Sequence, residues 1–147
     1  MAGLNVTRSV DRAAARLGVE RAVSESEALG CRTCIAVLDA AGNLVSYDRM
    51  DGAPYNSAAH AQDKAYSAAG NGVATMDMWA AVAGLQQLSL GILKVHGLSV
   101  LGGGVPIAFA GELVGAVGVS GSCGQDEDHR IATAAVQAIV GALQAHA

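Results

Sequence analysis

Charge is scarce in this sequence: Asp, Glu, Lys and Arg make up 15% of its 147 residues, where an average soluble domain carries about 25%. Lys and Arg number 9 against 13 Asp and Glu, a formal net charge of −4, and no run of basic residues occurs. Nothing in it would track a phosphate backbone or an anionic bilayer, so neither nucleic acid nor a membrane is expected as a partner. Aromatic residues are fewer still, one Trp, one Phe and three Tyr, which leaves few rings to stack on a large planar ligand. Three cysteines, Cys31, Cys34 and Cys123, are too few for a disulfide framework and fit a reducing compartment. No apolar stretch approaches the roughly 20 residues of a membrane-spanning helix. The opening MAGLNVTRSVDRAAARLGV lacks the apolar core of an export signal, so a cytoplasmic location is expected. A closed zinc site needs four ligands, and neither a second CxxC nor clustered histidines exist to supply them.

What the chain does have is apolar content, 52% of residues, and 19 glycines. Its length fits one domain over residues 1–147. So little charge on so apolar a domain points to surface buried against further copies, a homo-oligomer, because obligate interfaces resemble cut cores.

Periodicity lays out the elements. Thr7 is placed to cap a first helix in which Val6, Val10, Ala13 and Leu17 recur at near-helical spacing and which Gly30 ends. CIAVLDAAGNLVSYDRM reads as a hairpin turning at Asp39 to Asn43. From Asn56 to about Gly70, Ala58, Ala61, Ala65 and Ala68 form a stripe of small side chains, with Asn56, His60, Lys64 and Ser67 on the opposite face. Another helical stretch runs from Thr75 through Trp79, Leu85 and Leu88 to Gly91, its apolar residues poorly segregated. Val105 to Ala110 and Leu113 to Val119 form a second hairpin across Gly111-Glu112. Ser122 and Gln125 have capping-box spacing, Asp126, Glu127 and Asp128 suit a helix start, and Ile131, Ala135, Ile139 and Leu143 make one face of a last helix. One plan is thus used twice, hairpin then helix, and predicts an α+β fold: an antiparallel sheet with helices on both faces.

The glycines of GGGVPIAFAGELVGAVGVSG are not a nucleotide fingerprint. No Gly-Lys pair exists for a Walker loop, and Gly102, Gly103 and Gly104 precede a strand instead of following one. Glycine inside a strand marks a bend or a backbone that a ligand or a helix approaches closely.

AVLDAAGNLVSYDRMDGAP, AQDKAYSAA, the glycine-rich stretch and QDEDHRIATAA together resemble the GlcG/HbpS family of small haem-binding and haem-degrading proteins, with which the C-terminal domain of the PduO corrinoid adenosyltransferase belongs. The resemblance runs over roughly residues 4 to 146. It implies a profilin-like fold with a five-stranded antiparallel sheet, assembly into homo-oligomers, and a pocket for a tetrapyrrole or other small molecule. Lys64-Ala65-Tyr66-Ser67-Ala68 stands where the family usually has Lys-Ala-x-Thr-Ala, keeping the hydroxyl without the methyl.

His60 and Lys64, four apart, can aim into one cavity with Ser67 a turn further on, or all three can lie on a solvated helix face. In a pocket the imidazole would ligate haem iron, the one metal role open to His60, and the ammonium would hold a carboxylate. Arg49 either binds a carboxylate or fixes its turn through Asp48 or Asp51. Cys31 and Cys34 have redox spacing but close a helix instead of opening one, which favours a structural role. His96 and His129 read as surface or contact residues, and Trp79 as a core or interface anchor. The leading expectation is an oligomer binding haem or a related planar ligand through Arg49, His60, Lys64 and Ser67, with Gly102, Gly103 and Gly104 letting backbone come close. The rival is an enzyme acting on a small oxygenated acid or aromatic catabolite, in which Arg49 or Lys64 holds the carboxylate and His60, Asp51 or Tyr66 moves protons.

Overall fold

Small residues let one helix sink onto the sheet, and the rest of the architecture follows from that contact. The computed structural model describes residues 2–146. In chain order the elements are α1 (Arg12–Leu29), β1 (Thr33–Asp39), β2 (Leu44–Arg49), α2 (Ser57–Asn71), α3 (Thr75–Val82), α4 (Gln86–Ile92), β3 (Gly104–Phe109), β4 (Glu112–Gly121) and α5 (Gln125–Ala145). The strands form an antiparallel sheet in the order β2-β1-β4-β3. Alternation along β1 sends Ile35 and Val37 to the face covered by α1 and α5, where Val119, Ile131 and Ile139 are fully buried. It sends Cys34, Ala36 and Leu38 to the face covered by α2.

Both expected hairpins and the helices on both faces are present, but the sheet has four strands, not five. The sequence offers four apolar runs of strand type. The stretch that leads into α1 adds a single backbone bond to the sheet, Val10 N–H to Val114 C=O at 2.8 Å. That stretch also corrects the start of α1. Thr7 and Val6 precede the helix, and Asp11 caps it by accepting from Ala14 N at 2.8 Å. Gly30 ends α1 in the left-handed region as expected, at φ 71°.

Two further expectations change. The long helix from Thr75 breaks at residues 83–85 into α3 and α4, because Gly84 lies at the junction and α4 has no buried residue to hold it against the body. The capping box at α5 does not form. Ser122 Oγ instead accepts from Arg32 N at 2.9 Å and Gln125 Oε1 from Gly102 N at 3.3 Å, leaving Gly124 as the cap residue.

The cysteines also behave differently from expectation. Cys31 and Cys123, 92 residues apart with Cα atoms 5.6 Å apart, form a disulfide, while Cys34 is free and buried. The bridge pins the entry of β1 to the entry of α5, and a loop of that length is worth on the order of 4 kcal/mol in the chain-entropy account. Such a bond fits an oxidising setting better than the reducing one that the cysteine count suggested.

On α2 the alanine stripe lies as expected: Ala61, Ala65 and Ala68 are fully buried. The helix sits so low that a Cβ on Gly118 of β4 would meet the carbonyl of Ala61 and the backbone of Ala65. Gly104 of β3 is equally close to the carbonyl of Lys64 and the side chain of Thr75. Because of this depth Lys64 and Ser67, on the flank of the stripe, are buried as well, not turned outward as the periodicity suggested. Gly118→Ala is therefore expected to cost about 2–3 kcal/mol through overpacking against backbone, measured as a lowered denaturation midpoint with an unchanged m value.

Candidate functional site

An ammonium carried under the sheet needs a partner, and Lys64 has two. Its Nζ donates to the carbonyl of Val119 and to Asp128 Oδ2, each at 2.9 Å, and the two side chains are only 3% and 5% exposed. Burial pushes the Asp128 carboxyl up from its usual range, opposed by the attraction of Lys64. Its second oxygen, Oδ1, is buried without a hydrogen bond among the described residues. Lys64 is thus committed to holding α2, β4 and α5 together.

Ser67 is likewise engaged. Its Oγ accepts from Ser99 N at 2.7 Å and lies 2.7 Å from the carbonyl of Asp63 and 3.2 Å from that of Gly97. It fastens the connector between α4 and β3 to α2. Gly102, Gly103 and Gly104 are buried against Met76, Gln125, Thr75, Asp128 and Lys64. They let protein approach protein.

Outward residues of α2 include His60, Gln62, Asp63 and Tyr66, and two clefts flank them. The first, about 280 Å³, is bounded by His60, Asp63, Ile92, Leu93, Leu98 and Leu101: an imidazole on an otherwise largely apolar wall. The second, about 300 Å³, lies between α2 and the β1–β2 turn and is bounded by Leu38, Leu44, Gln62, Asp63, Tyr66 and His96. Here the Tyr66 ring lies between Gly42 and Gly97, both at positive φ, and a Cβ on either would crowd its ring carbons. Asp63 borders both clefts.

Arg49 and Asp51 are elsewhere. With Glu27, Arg32 and Asp48 they line a hollow of about 450 Å³ between α1 and the end of β2, and Arg49 Nη2 donates to the carbonyl of Ala53 at 3.3 Å. The structure therefore groups His60 with apolar residues of the connector, groups Tyr66 with Asp63 and His96, and keeps Lys64 and Arg49 away from both groups. Nearby on β2, burial and the neighbouring Cys34 push the Tyr47 phenol up to about 12, so it stays protonated. Sequence reasoning missed Asp63 and His96 as cleft residues and Asp128 as the partner of Lys64. A buried lysine demands a carboxylate, but only the fold shows that the carboxylate comes from 64 residues downstream.

The α+β fold thus carries two clefts beside α2 and a charged hollow between α1 and the end of β2. The chain belongs to the HbpS-like family, whose model, described as "Haem degrading protein HbpS-like", matches residues 10–137. It is similar to protein ORFY of Klebsiella pneumoniae, 27% identical with a TM-score of 0.88, over 95% of this chain and 96% of that one. It also resembles a double mutant of HbpS from Streptomyces reticuli, 28% identical with a TM-score of 0.84, over 93% of this chain and 92% of that one. A third similar structure is PduOC in complex with haem, 25% identical with a TM-score of 0.81, over 88% of this chain and 94% of that one.

The buried pair sets a test. Lys64→Met leaves the Asp128 carboxylate uncompensated and should cost about 3–5 kcal/mol at neutral pH. A carboxyl whose folded pKa is raised contributes most stability below its unfolded pKa and loses it as pH rises through the folded value. Removing Lys64 raises that value further, so the variant should recover stability as pH is lowered. Urea titrations across a pH series read both effects, and a deficit that does not change with pH would contradict the assignment.

Proposed function

We propose that this protein binds haem or a closely related tetrapyrrole in the cleft between the first half of α2 and the connector before β3. The observation that carries the reading is the placement of the His60 imidazole, exposed and bordered by Ile92, Leu93, Leu98 and Leu101. A porphyrin needs an apolar wall for its ring and a nitrogen for its iron, and this cleft supplies both residue types. His60 would ligate the iron, and Lys94, exposed beside Leu93, would neutralise a propionate in place of Lys64. Membership of the HbpS-like family and similarity to PduOC in complex with haem support the same ligand. Bound haem would supply redox and oxygen chemistry, while the residues of this chain bind it, orient it and shield one face from water. Haem degradation is the activity that the family description suggests.

The rival, an acid/base enzyme for a small carboxylic acid, draws less support. Its two proposed carboxylate holders are Lys64, engaged by Asp128 and Val119, and Arg49, which lines a hollow with Glu27, Asp48 and Asp51.

The reading includes self-assembly. Trp79, Leu88 and Leu93 on and beside α3 and α4 are 50%, 51% and 76% exposed, and such a surface suits contact with further copies of the chain. No helix is long and apolar enough to cross a membrane. The cytoplasmic setting expected from the sequence sits uneasily with the Cys31–Cys123 bridge, so we favour an oxidising one.

Haemin titration followed at the Soret band should give a saturable shift at a fixed stoichiometry, altered in position and weakened about tenfold or more in His60→Ala. An unsaturable titration contradicts haem binding, and an unchanged spectrum in the variant removes His60 as the ligand. Light scattering after gel filtration should report a mass above one chain, lowered by Trp79→Glu with Leu88→Glu. A wild-type monomer at all concentrations would contradict assembly through this face.

A further inference from the structure

The cleft on the other side of Asp63 has a chemistry of its own. Among the residues that line it Asp63 is the one carboxylate, and neither Lys nor Arg is present. Gln62 donates its Nε2 to the carbonyl of Ala58 at 3.1 Å, which leaves Oε1 as its free acceptor. The Tyr66 hydroxyl and the His96 ring complete a rim able to accept hydrogen bonds, and Leu38 and Leu44 offer apolar surface beside it. Gly42 and Gly97 leave the room that the Tyr66 ring takes up, since a Cβ on either would come within about 3.3 Å of ring carbons. Ser67 in turn holds the Gly97 turn to α2 through Ser99 N at 2.7 Å. Gln62, Asp63 and Tyr66 stand on one helix, and Ser67 fastens the turn that follows His96 to that helix.

We propose that this cleft is a binding site for a small organic ammonium ion, whose three N–H donors meet Asp63, Gln62 and Tyr66 or His96 while its carbon chain rests on Leu38 and Leu44. A carboxylate or phosphate ligand is disfavoured by the charge of Asp63 and the lack of a lysine or arginine. A neutral alcohol of the same shape has one donor in place of three and no charge, and is held more weakly.

The test uses n-butylammonium, n-butanol and butyrate as probes of equal length, titrated into the full chain and followed by two-dimensional amide NMR. Butylammonium should give saturable shifts centred on Gly42, Asp63, Tyr66 and Gly97, at least tenfold weaker in Asp63→Asn and unchanged in affinity in His60→Ala. Butanol should bind more weakly and butyrate should leave those amides unmoved. The proposal is overturned if butylammonium gives no saturable shifts at these residues, if Asp63→Asn binds as well as the wild type, or if butyrate produces the same shifts. Because His60 borders the other cleft alone, failure here leaves the haem reading standing, and failure of haem binding leaves this site standing.

Discussion

The close approach of α2 to β3 and β4 is the constraint on which the rest of the structure depends. It exists because the helix presents Ala61, Ala65 and Ala68 and the sheet answers with Gly104 and Gly118, so backbone meets backbone. Depth has two consequences. It drives Lys64 far enough under the sheet to reach Val119 and Asp128, and it leaves His60, Gln62, Asp63 and Tyr66 of the helix to border the clefts. Packing thus decides which side chains are structural and which are accessible.

The elements joined to this contact differ in how firmly they are held. The entry of α5 is tied down by the Cys31–Cys123 bridge, by Ser122 to Arg32, by Gln125 to Gly102 and by the buried ion pair. A buried pair stabilises weakly once desolvation is counted, yet breaking it is costly, so it acts mainly to fix arrangement. By contrast α3, α4 and the connector bury little: α4 has no buried residue and α3 only Thr75 and Met78. Few buried contacts mean low local stability, so this segment is expected to exchange its amides faster than the sheet. Ser67 and Thr75 are its main fastenings, Thr75 by donating to Leu101 C=O at 2.6 Å and accepting from Gly104 N at 3.0 Å.

Local signals were legible in the sequence and long-range ones were not. The two hairpins announce themselves through turn residues between apolar runs, and Gly30 ends α1 where the pattern says it must. The alanine stripe and the interrupting glycines point to close packing before any coordinates are seen. The depth of that packing is not legible, so the periodicity that rightly turned His60 outward did not show that Lys64 and Ser67 beside it are buried. Capping was misread twice for one reason: Thr7 and Ser122 have the right spacing, but Asp11 caps the first helix and Arg32 takes the second hydroxyl. The Cys31–Cys123 bridge joins residues 92 apart and has no local signature. The hairpin-then-helix pattern supplied the α+β class and the antiparallel sheet, while the family resemblance implied one strand too many.

The central claim is that haem occupies the His60 side of α2. Hydrogen–deuterium exchange with and without stoichiometric haemin tests it most directly. The account predicts slowed exchange in the first two turns of α2 and in residues 92–101, with α1 and β2 unaffected. Protection centred instead on the Arg49 hollow between α1 and β2, or none in α2 and the connector, would contradict it.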